Sequence, residues 1–573
     1  MSTVAESIVK SLADYGVVSA WGVVGDALNP ITDAMRTDER IEWIGVRHEE
    51  AAAFAAGAQA QLTDHLALCM GTVGPGAVHL LNGLYDAKKS HAPVLAIVGQ
   101  VPTAEIGSDF FQEVNNDVLF ADVSVFCQTV TSAEQMPQLL EQAVNSAMAE
   151  RGVAVLTVPG DIGGLELPKG SRDPFFAPLQ AQAAAPDDQI AEAAAAIERA
   201  KKVTLLVGRG ALDSRQQVLE LAERLQAPMV LTLKAKEGLE QDNRFQVGQT
   251  GLIGNPAAAS ALEESDLVLM LGTDFPYREW YPTHPTYLQL DMKTAHIGRR
   301  AQVSHALVGH VGPTLLKLLP QISSRSETRH LDKAVSHYEK WKDGQAKLAD
   351  PNFNSSIVGK IRSLVDDHEH RIRPEAVAAA LDEFADDDAI FTSDTGMSTV
   401  WLSRFITFTG KRRLLGSYNL GSMANAMPQA LGAQALDRKR QVIANCGDGG
   451  LMMLLGDLRT AVTFDLPAVF VVYDNGRLGM VRLEQEQGGL PEFGTVLDNP
   501  NLAEVATAMG LTSFRVTKSG DLRDTIRKAL STTGPVLVDV LTNPEEVSVP
   551  PELSMDQAWG FAIAKSKEFI ESA

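Results

Sequence analysis

A carboxylate and an amide stand 27 positions apart, each just after an apolar run in the C-terminal part of the chain. Segment 441–479 reads QVIANC, then GDGG (447–450), a helix-like stretch, PAVFVVY and DNG (474–476). This layout predicts a strand, helix and parallel strand, which brings Asp448 and Asn475 to the carboxyl edge of one sheet. Their oxygens suit Mg²⁺, and glycine-rich backbone at a helix start suits phosphate. A plain turn at GDGG is the alternative, which the spacing to Asn475 disfavours.

This pattern resembles the thiamine diphosphate fingerprint, in which GDG is followed one strand later by an asparagine pair. Asp474 replaces the first asparagine of that pair, and Asn475 keeps the second. The resemblance implies three metal ligands, namely Asp448, Asn475 and the backbone carbonyl of Arg477. Gly449 and Gly450 would then lie beside the diphosphate.

Thiamine diphosphate also needs a glutamic acid in apolar surroundings, because that group activates the cofactor through its pyrimidine ring. The helix expected after IEWIGV begins RHEEAAAFAAGAQAQL, and Ala52, Ala53, Ala56 and Ala60 follow Glu49 on one face. Such a stripe of small residues packs closely and would bury the Glu49 carboxyl. A surface glutamate at a helix start is the alternative. RHE before an alanine-rich helix resembles the first-domain motif of the acetolactate synthase and pyruvate oxidase group, with Glu49 in the catalytic position.

Further segments resemble cofactor contacts of the same group. In GSMAN, Met423 would be the bulky residue that bends the cofactor, and Gly421 a backbone partner of its aminopyrimidine. Donors to the diphosphate would come from Thr395, Gly396, Met397 and Ser398. SDFFQEV resembles the segment that lines the thiazolium side, which nominates Phe111 and Gln112.

Nearly the whole chain, from WGVVGDALN to VPPEL, resembles the FAD-containing pyruvate:quinone oxidoreductases. The resemblance implies that thiamine diphosphate, Mg²⁺ and FAD are the cofactors. It implies that pyruvate is oxidatively decarboxylated to acetate and CO₂, with electrons passed through FAD to a membrane quinone. Around the substrate it places Asp26, His91, Met480, Val481 and Glu484. Relatives carry an aromatic residue at position 480, and His91 is equally well explained as a structural histidine.

The central part of the chain would hold the flavin. Gly208 and Gly210 in VGRGALDS depart from the GxGxxG fingerprint, and such glycine turns also serve as plain turns. The resemblance nominates ten flavin contacts: Gly208, Arg209, Gly210, Thr250, Gly251, Leu252, Phe275, Arg278, Asp291 and Ile297. His310 is a departure, since relatives usually carry aspartate there.

Composition limits the partners. Lys+Arg 50 against Asp+Glu 72 gives a formal net charge of −22, which repels nucleic-acid phosphates and anionic lipid headgroups. Three scattered cysteines favour a reducing compartment over a disulfide framework. With no secretory pattern and no long apolar run, the expected location is cytoplasmic, or peripheral on the inner face of the cell membrane.

Alternating apolar runs and helix-like stretches over 573 residues predict three α/β domains, each a doubly wound parallel sheet. The predicted domains are pyrimidine-binding (1–175), FAD-binding (185–325) and diphosphate-binding (355–545), followed by a tail (546–573). In the tail, Trp559, Ile563 and Ile570 recur at helical spacing, which predicts an amphipathic helix that contacts lipid or docks on its own protein.

Three alternatives stay open at this point. Acetolactate synthase shares both organic cofactors but joins two 2-keto acids, and an oxygen- and phosphate-dependent pyruvate oxidase forms acetyl phosphate and peroxide. A catalytically inactive scaffold is disfavoured by the presence of Glu49, Asp448 and Asn475. The family also implies a homotetramer.

Overall fold

Apolar strand runs alternate with helices along the chain, and each group of runs forms one parallel sheet. The computed structural model describes residues 2–178, 182–350 and 371–545. Within these ranges the strands form sheets of six, five and six members, and all paired strands run parallel. The predicted fold class of three parallel-sheet α/β domains is therefore confirmed.

The first sheet has the strand order β2-β1-β3-β4-β6-β5. Its strands are β1 (Ser19–Gly22), β2 (Glu42–Gly45), β3 (Ala67–Gly71), β4 (Val94–Gln100), β5 (Ser124–Thr129) and β6 (Val153–Pro159). The helices around it are α1 (Val4–Tyr15), α2 (Asn29–Asp38), α3 (Glu49–Thr63), α4 (Pro75–His79), α5 (Leu81–Lys89), α6 (Asn116–Leu119) and α7 (Met136–Glu150).

The second sheet has the order β11-β10-β9-β7-β8. Its strands are β7 (Val203–Val207), β8 (Met229–Leu231), β9 (Leu267–Leu271), β10 (Thr286–Asp291) and β11 (Val303–Val308). The accompanying helices are α8 (Asp187–Arg199), α9 (Arg215–Leu225), α10 (Lys236–Leu239), α11 (Pro256–Glu263), α12 (Val311–Leu318) and α13 (Arg329–Leu348).

The third sheet has the order β13-β12-β14-β15-β17-β16. Its strands are β12 (Ile390–Ser393), β13 (Arg413–Gly416), β14 (Val442–Gly447), β15 (Val469–Asp474), β16 (Thr512–Val516) and β17 (Val536–Leu541). The helices are α14 (Pro374–Phe384), α15 (Met397–Phe405), α16 (Ala426–Leu436), α17 (Asp448–Met453), α18 (Leu458–Thr463), α19 (Gly479–Gln487), α20 (Leu502–Met509) and α21 (Ser519–Leu530).

Alternate residues of a strand enter different cores, so both faces of each sheet are covered. In β4, Ala96 belongs to one core and Ile97 to another, and in β14 Ala444 and Ile443 divide in the same way. Burial on both faces is typical of doubly wound parallel sheets and explains why these strands read as continuous apolar runs.

Helix α3 is buried on nearly every side, not only along the predicted stripe. Ala52, Ala53, Ala56 and Ala60 are all buried, and so is almost every residue between Glu49 and Gln61. Helix α16 of the third domain packs so closely that a Cβ on Gly432 would lie 2.3 Å from the Ala55 carbonyl oxygen. The first and third domains therefore share one continuous core.

None of the helices in the described ranges is both long and apolar enough to cross a membrane. The predicted amphipathic tail, with Trp559, Ile563 and Ile570, lies outside the described residues.

The three domains meet around one buried carboxylate, Asp86 of α5. Its Oδ2 accepts a hydrogen bond from Gln429 Nε2 at 3.0 Å, and its Oδ1 has no hydrogen-bond partner among the residues described. Burial raises the pKa of Asp86 to about 6, although Ser417 and the charge of Lys234 in the middle domain act in the opposite direction. The folded protein therefore holds this proton more tightly than the unfolded chain does.

Asp86 should make the protein less stable as pH rises from about 4 to about 6, because the unfolded chain has then released the proton and the folded one has not. The effect can reach about 3 kcal/mol, at 1.36 kcal/mol for each unit of pKa. Asp86→Asn should reduce the fall in thermal unfolding midpoint between pH 4.5 and 6.5, and the exposed Asp242→Asn should not. An unchanged pH dependence in Asp86→Asn would show that the carboxyl ionises freely.

Candidate active site

Asp448 and Asn475 lie at the carboxyl ends of adjacent strands. Strands β14 and β15 pair in parallel with Gly447 opposite Tyr473, and Asp448 is the first residue of α17. Asp448 Oδ2 accepts hydrogen bonds from the backbone N–H of Gly476 at 2.8 Å and from Asn499 Nδ2 at 2.7 Å. The sequence predicted that the glycines after Asp448 form a turn that precedes the helix. In the structure they lie in the first turn of the helix itself.

The same edge carries an excess of buried negative charge. Asn499 Nδ2 also donates to Asp474 Oδ1 at 3.0 Å, so one amide lies between two carboxylates. Burial, followed by the negative charge of Asp474, raises the pKa of Asp448 to about 7. A divalent cation at Asp448 and Asn475 would offset both effects, and these oxygen donors fit Mg²⁺.

Arg477, predicted to contribute its carbonyl, holds the loop after β15 in shape. Its backbone N–H donates to Asn475 Oδ1 at 2.9 Å, and its guanidinium forms an ion pair with Glu492 at 2.5 Å. The Arg477 backbone therefore lies directly beside the Asn475 amide, and its carbonyl as a metal ligand stays a prediction.

A second carboxylate, Asp394, connects three of the predicted cofactor segments. Asp394 is 1% exposed, and its two oxygens accept hydrogen bonds from the backbone N–H groups of Ala426 at 3.0 Å and Gly447 at 3.1 Å. Burial raises its pKa to about 7. The Ser398 hydroxyl donates to the Asp394 carbonyl oxygen at 2.9 Å. This hydroxyl is thus engaged within the fold, whereas Thr395, Gly396 and Met397 lie at the end of β12 and the start of α15.

Met423 reaches the metal edge from the loop before α16. A Cβ on Gly449 would lie 3.4 Å from Met423 Cε, and it would touch Leu478 and Leu497 at 3.1 and 3.0 Å. Gly421, two residues earlier, has a φ of +79° with open space around it. The predicted cofactor segments of the third domain therefore lie close together: residues 395–398, 421–423, 448–450 and 475–477.

Glu49 begins α3 and points into the first domain. His48 caps the helix, its side chain accepting from the Glu50 backbone N–H at 3.2 Å. Glu49 Oε2 lies 2.9 Å from His79 Nδ1, and a Cβ on Gly76 would lie 3.1 Å from Glu49 Oε1. The carboxylate therefore contacts His79 at the end of α4 and lies close to Gly76 at the start of that helix.

The loop 72–76 also gathers other predicted residues of the first domain. Thr72 contacts the Gly25 backbone immediately before Asp26, and Gln112 contacts Gly74. Asp26 and Phe111 are exposed, Phe111 at 78% of its surface. Asp26, Phe111 and Gln112 therefore lie near the segment that contacts Glu49; Asp26 and Phe111 are exposed and Gln112 is half-buried.

Helix α19 carries the three predicted substrate residues of the third domain. Met480 packs against the core, whereas Val481 and Glu484 are exposed. The negative charge of Glu484 contributes, after burial and Glu279, to raising the pKa of Tyr277 in the middle domain. Met480 of α19 and Ile253 of the middle domain both pack against the same core, which brings α19 near the middle-domain loop that contains Gly251.

Two segments of the middle domain form part of the predicted flavin site: the loop with Thr250 and Gly251, and the loop with Phe275 and Tyr277. Thr250 is buried, and its hydroxyl has no hydrogen-bond partner in the described part of the chain. Gly251 has a φ of +93°, and a Cβ there would lie 2.7 Å from Phe275 Cζ. Phe275 and Tyr277 pack edge to face with ring centroids 5.5 Å apart. An unsatisfied hydroxyl beside aromatic rings fits a bound planar polar ring system.

Most of the other residues predicted to contact the flavin make contacts within the protein. Gly208 and Gly210 are explained by close packing on Gly272. The Arg209 guanidinium donates to the Gln61 carbonyl oxygen of the first domain at 3.2 Å. Arg278 is exposed and donates to the Arg299 carbonyl oxygen. Leu252 is half-buried between Gly251 and Gly254.

His91 lies apart from the other substrate residues. Its ring centroid is 5.9 Å from that of His296, whose Nδ1 contacts Asp291 Oδ1 at 3.2 Å. His91 therefore lies beside the predicted flavin segment that ends at Ile297. Desolvation, then the charge of Lys293, lowers the pKa of His91 to about 4, which makes it neutral at pH 7.

His310 precedes α12 without a side-chain capping bond. Its backbone N–H donates to the Ala183 carbonyl oxygen at 2.8 Å, which connects β11 to the start of the middle domain. The His310 side chain, at the position where the resemblance leads one to expect aspartate, therefore does not cap α12.

Asn499, Asp394, Thr72 and His79 were not identified from sequence. For Asp394 and Thr72 a signal existed, because each directly follows a buried strand at the carboxyl edge of its sheet. Asn499 lies in an irregular segment and gave none.

Fold and site together define an enzyme with a metal and phosphate edge in one parallel-sheet domain and a buried glutamate in another. The chain matches the three domains of thiamine pyrophosphate enzymes: the N-terminal TPP binding domain over 2–119, the central domain over 190–318 and the C-terminal TPP binding domain over 394–540. YdaP of Bacillus subtilis (strain 168), which carries the name thiamine pyrophosphate-containing protein, is 36% identical, with 100% of this chain and 96% of YdaP aligned. The chain belongs to the thiamine pyrophosphate enzyme family.

Relatives with named activities fall into two groups. The pyruvate oxidase of Lactiplantibacillus plantarum is 30% identical, with 96% of this chain and 90% of the relative aligned. The acetolactate synthase isozyme 2 large subunit of Escherichia coli (strain K12) is 31% identical, with 94% of this chain and 95% of the relative aligned. These identities establish a thiamine-dependent enzyme related to both groups.

Proposed function

We propose that this enzyme oxidises pyruvate to acetate and CO₂ and passes the electrons through FAD to a quinone. One pyruvate and one water yield acetate, CO₂, two protons and two electrons, and the quinone takes up the protons and electrons as it becomes a quinol. A membrane quinone as acceptor, a peripheral membrane contact and a homotetramer are parts of the same proposal.

The observation that carries the proposal is that α19 and the middle-domain loop 249–253 contact the same part of the third domain. Met480 of α19 and Ile253 pack against one core, and Ile253 lies in the same loop as the unsatisfied Thr250 hydroxyl and Gly251, which packs on Phe275. A substrate bound at α19 would thus lie next to a flavin held by that loop. Such an arrangement suits electron transfer from substrate to flavin, as does the likeness to a pyruvate oxidase.

Bound thiamine diphosphate would supply the electron sink for decarboxylation and FAD the two-electron acceptor. Asp448, Asn475 and the Arg477 carbonyl would bind the Mg²⁺ and hence the diphosphate. Glu49 would hold a proton at the pyrimidine N1′ atom, and Met423 would support the bent conformation. Burial of Glu49 and Asp448 would keep water from these contacts.

The test is to incubate the purified protein with pyruvate, thiamine diphosphate, Mg²⁺, FAD and a soluble quinone under nitrogen. The expected products are acetate and quinol in equal amounts. Acetolactate without quinone reduction would assign the chain to the acetolactate synthases. Acetyl phosphate and peroxide, formed only with phosphate and oxygen, would assign it to the oxygen-dependent oxidases.

Flavin binding can be tested at Gly251. Gly251→Ala should sharply reduce the flavin content after reconstitution, because the new methyl group meets Phe275 and the backbone has a positive φ. The control is Gly170→Ala, which has a similar φ of +85° but open space around it. Flavin absorbance per protein is the measurement, and equal flavin content in both variants would place the flavin elsewhere.

A further inference from the structure

Asp457 connects the metal edge of the third domain to the turn that carries Glu49. It ends a 3-10 turn, Leu455–Asp457, which follows α17 after a single residue. Asp448 begins α17, so Asp448 and Asp457 are the two ends of one short, nearly continuous helical segment. Asp457 is 1% exposed, and it is not among the residues predicted from sequence.

The Asp457 carboxylate reaches across the domain boundary to the backbone before Glu49. Its Oδ1 accepts the Arg47 backbone N–H at 2.8 Å, between residues 410 positions apart in the sequence, and the Thr460 hydroxyl at 2.9 Å. The backbone N–H of His48, the next residue, also favours the ionised form of this carboxylate. Arg47 and His48 are the two residues that immediately precede Glu49.

This contact fixes the start of α3. The His48 side chain caps the helix through the Glu50 N–H, and the His48 ring stacks on His79 with centroids 4.3 Å apart. His79 in turn contacts the Glu49 carboxylate at 2.9 Å. A shift of the Arg47–His48 backbone would therefore move the helix cap, the stacked ring and the partner of Glu49 together.

Burying a carboxylate at this boundary is costly, which argues for a role beyond packing. Burial raises the pKa of Asp457, and the hydrogen bonds from Arg47, Thr460 and His48 oppose that effect. Asp457 Oδ2 has no hydrogen-bond partner among the residues that the structure covers. An apolar side chain would fill this space at lower cost but could not accept the Arg47 backbone N–H and the Thr460 hydroxyl.

We propose that Asp457 is a positioning residue, which sets the place of Glu49 relative to the cofactor through the Arg47–His48 backbone. The inference rests on the proposed function only in assigning Glu49 to the cofactor's pyrimidine. The contact itself is independent of the substrate.

The test compares Asp457→Ala and Asp457→Asn with the exposed Asp465→Asn as control. The first readout is hydrogen exchange of the Arg47 and His48 amides in the protein without cofactors, measured by mass spectrometry. We expect exchange about tenfold faster or more in Asp457→Ala, a smaller effect in Asp457→Asn, whose amide oxygen can still accept, and none in Asp465→Asn.

The second readout is the exchange of the C2 proton of bound thiamine diphosphate with deuterium, which requires Glu49 but no substrate. We expect this rate to fall at least tenfold in Asp457→Ala, with thiamine diphosphate affinity changed less than threefold. Unchanged amide exchange or unchanged C2 exchange in Asp457→Ala would overturn the proposal. If Asp457→Ala shows both effects but the wild-type protein does not form acetate from pyruvate, the proposed function fails and the role of Asp457 stands.

Discussion

Replacing Glu49 by glutamine is expected to lower the rate of pyruvate decarboxylation by about 10²–10⁴-fold, the usual contribution of a positioned acid or base. Glutamine keeps the size of the side chain and can still contact His79, but it cannot hold and release a proton. The measurement is CO₂ release from labelled pyruvate at saturating cofactors. The bound flavin should also stay oxidised when pyruvate is added to the variant without an acceptor.

The neighbouring carboxylate gives a matched control. Glu50 accepts a hydrogen bond from Asn82 Nδ2 at 2.7 Å, and glutamine can accept the same bond. Glu50→Gln should therefore retain activity within a few-fold of wild type. Full activity in Glu49→Gln would remove Glu49 from the mechanism, whereas equal losses in both variants would indicate a general disturbance of α3.

Replacing Asp448 by asparagine is expected to weaken Mg²⁺-dependent thiamine diphosphate binding more than any other single change at this edge. The change removes one charged ligand and leaves Asp474 and Asn499 in place. Asn499→Ala, which removes a partner of that ligand, should cost roughly the 10–100-fold typical of outer-shell residues, and Asp448→Asn more than that. Calorimetric titration with Mg²⁺ and thiamine diphosphate measures both.

The exposed Asp498 is the control for this experiment, because it neighbours Asn499 without facing the metal edge. Asp498→Asn should bind both ligands like the wild type, and circular dichroism should show the same fold in all three variants. Wild-type affinity in Asp448→Asn would mean that the cation is held elsewhere.

Central strands were predictable from sequence, whereas four of the six edge strands were not. Central strands such as β4 and β14 are buried on both faces, so they appear as continuous apolar runs. The apolar runs in the sequence did not predict four of the strands, namely β5, β11, β13 and β16. Each of them lies at the edge of its sheet, and β5 and β16 are largely half-exposed. An edge strand needs fewer apolar residues, so its composition does not distinguish it from a loop.

The sequence by itself determined the parallel α/β class, the placement of Asp448 and Asn475 at one sheet edge, and the burial of Glu49. Each of these follows from residues that are close together in the sequence, because a strand, its crossover helix and the residue after the strand are contiguous. Only the tertiary structure decided which side chains support them. Asn499 between two carboxylates, His79 on Glu49 and Asp457 on the Arg47 backbone come from distant parts of the chain. Their contacts depend on how the domains pack, and a local pattern of residues carries no record of that packing.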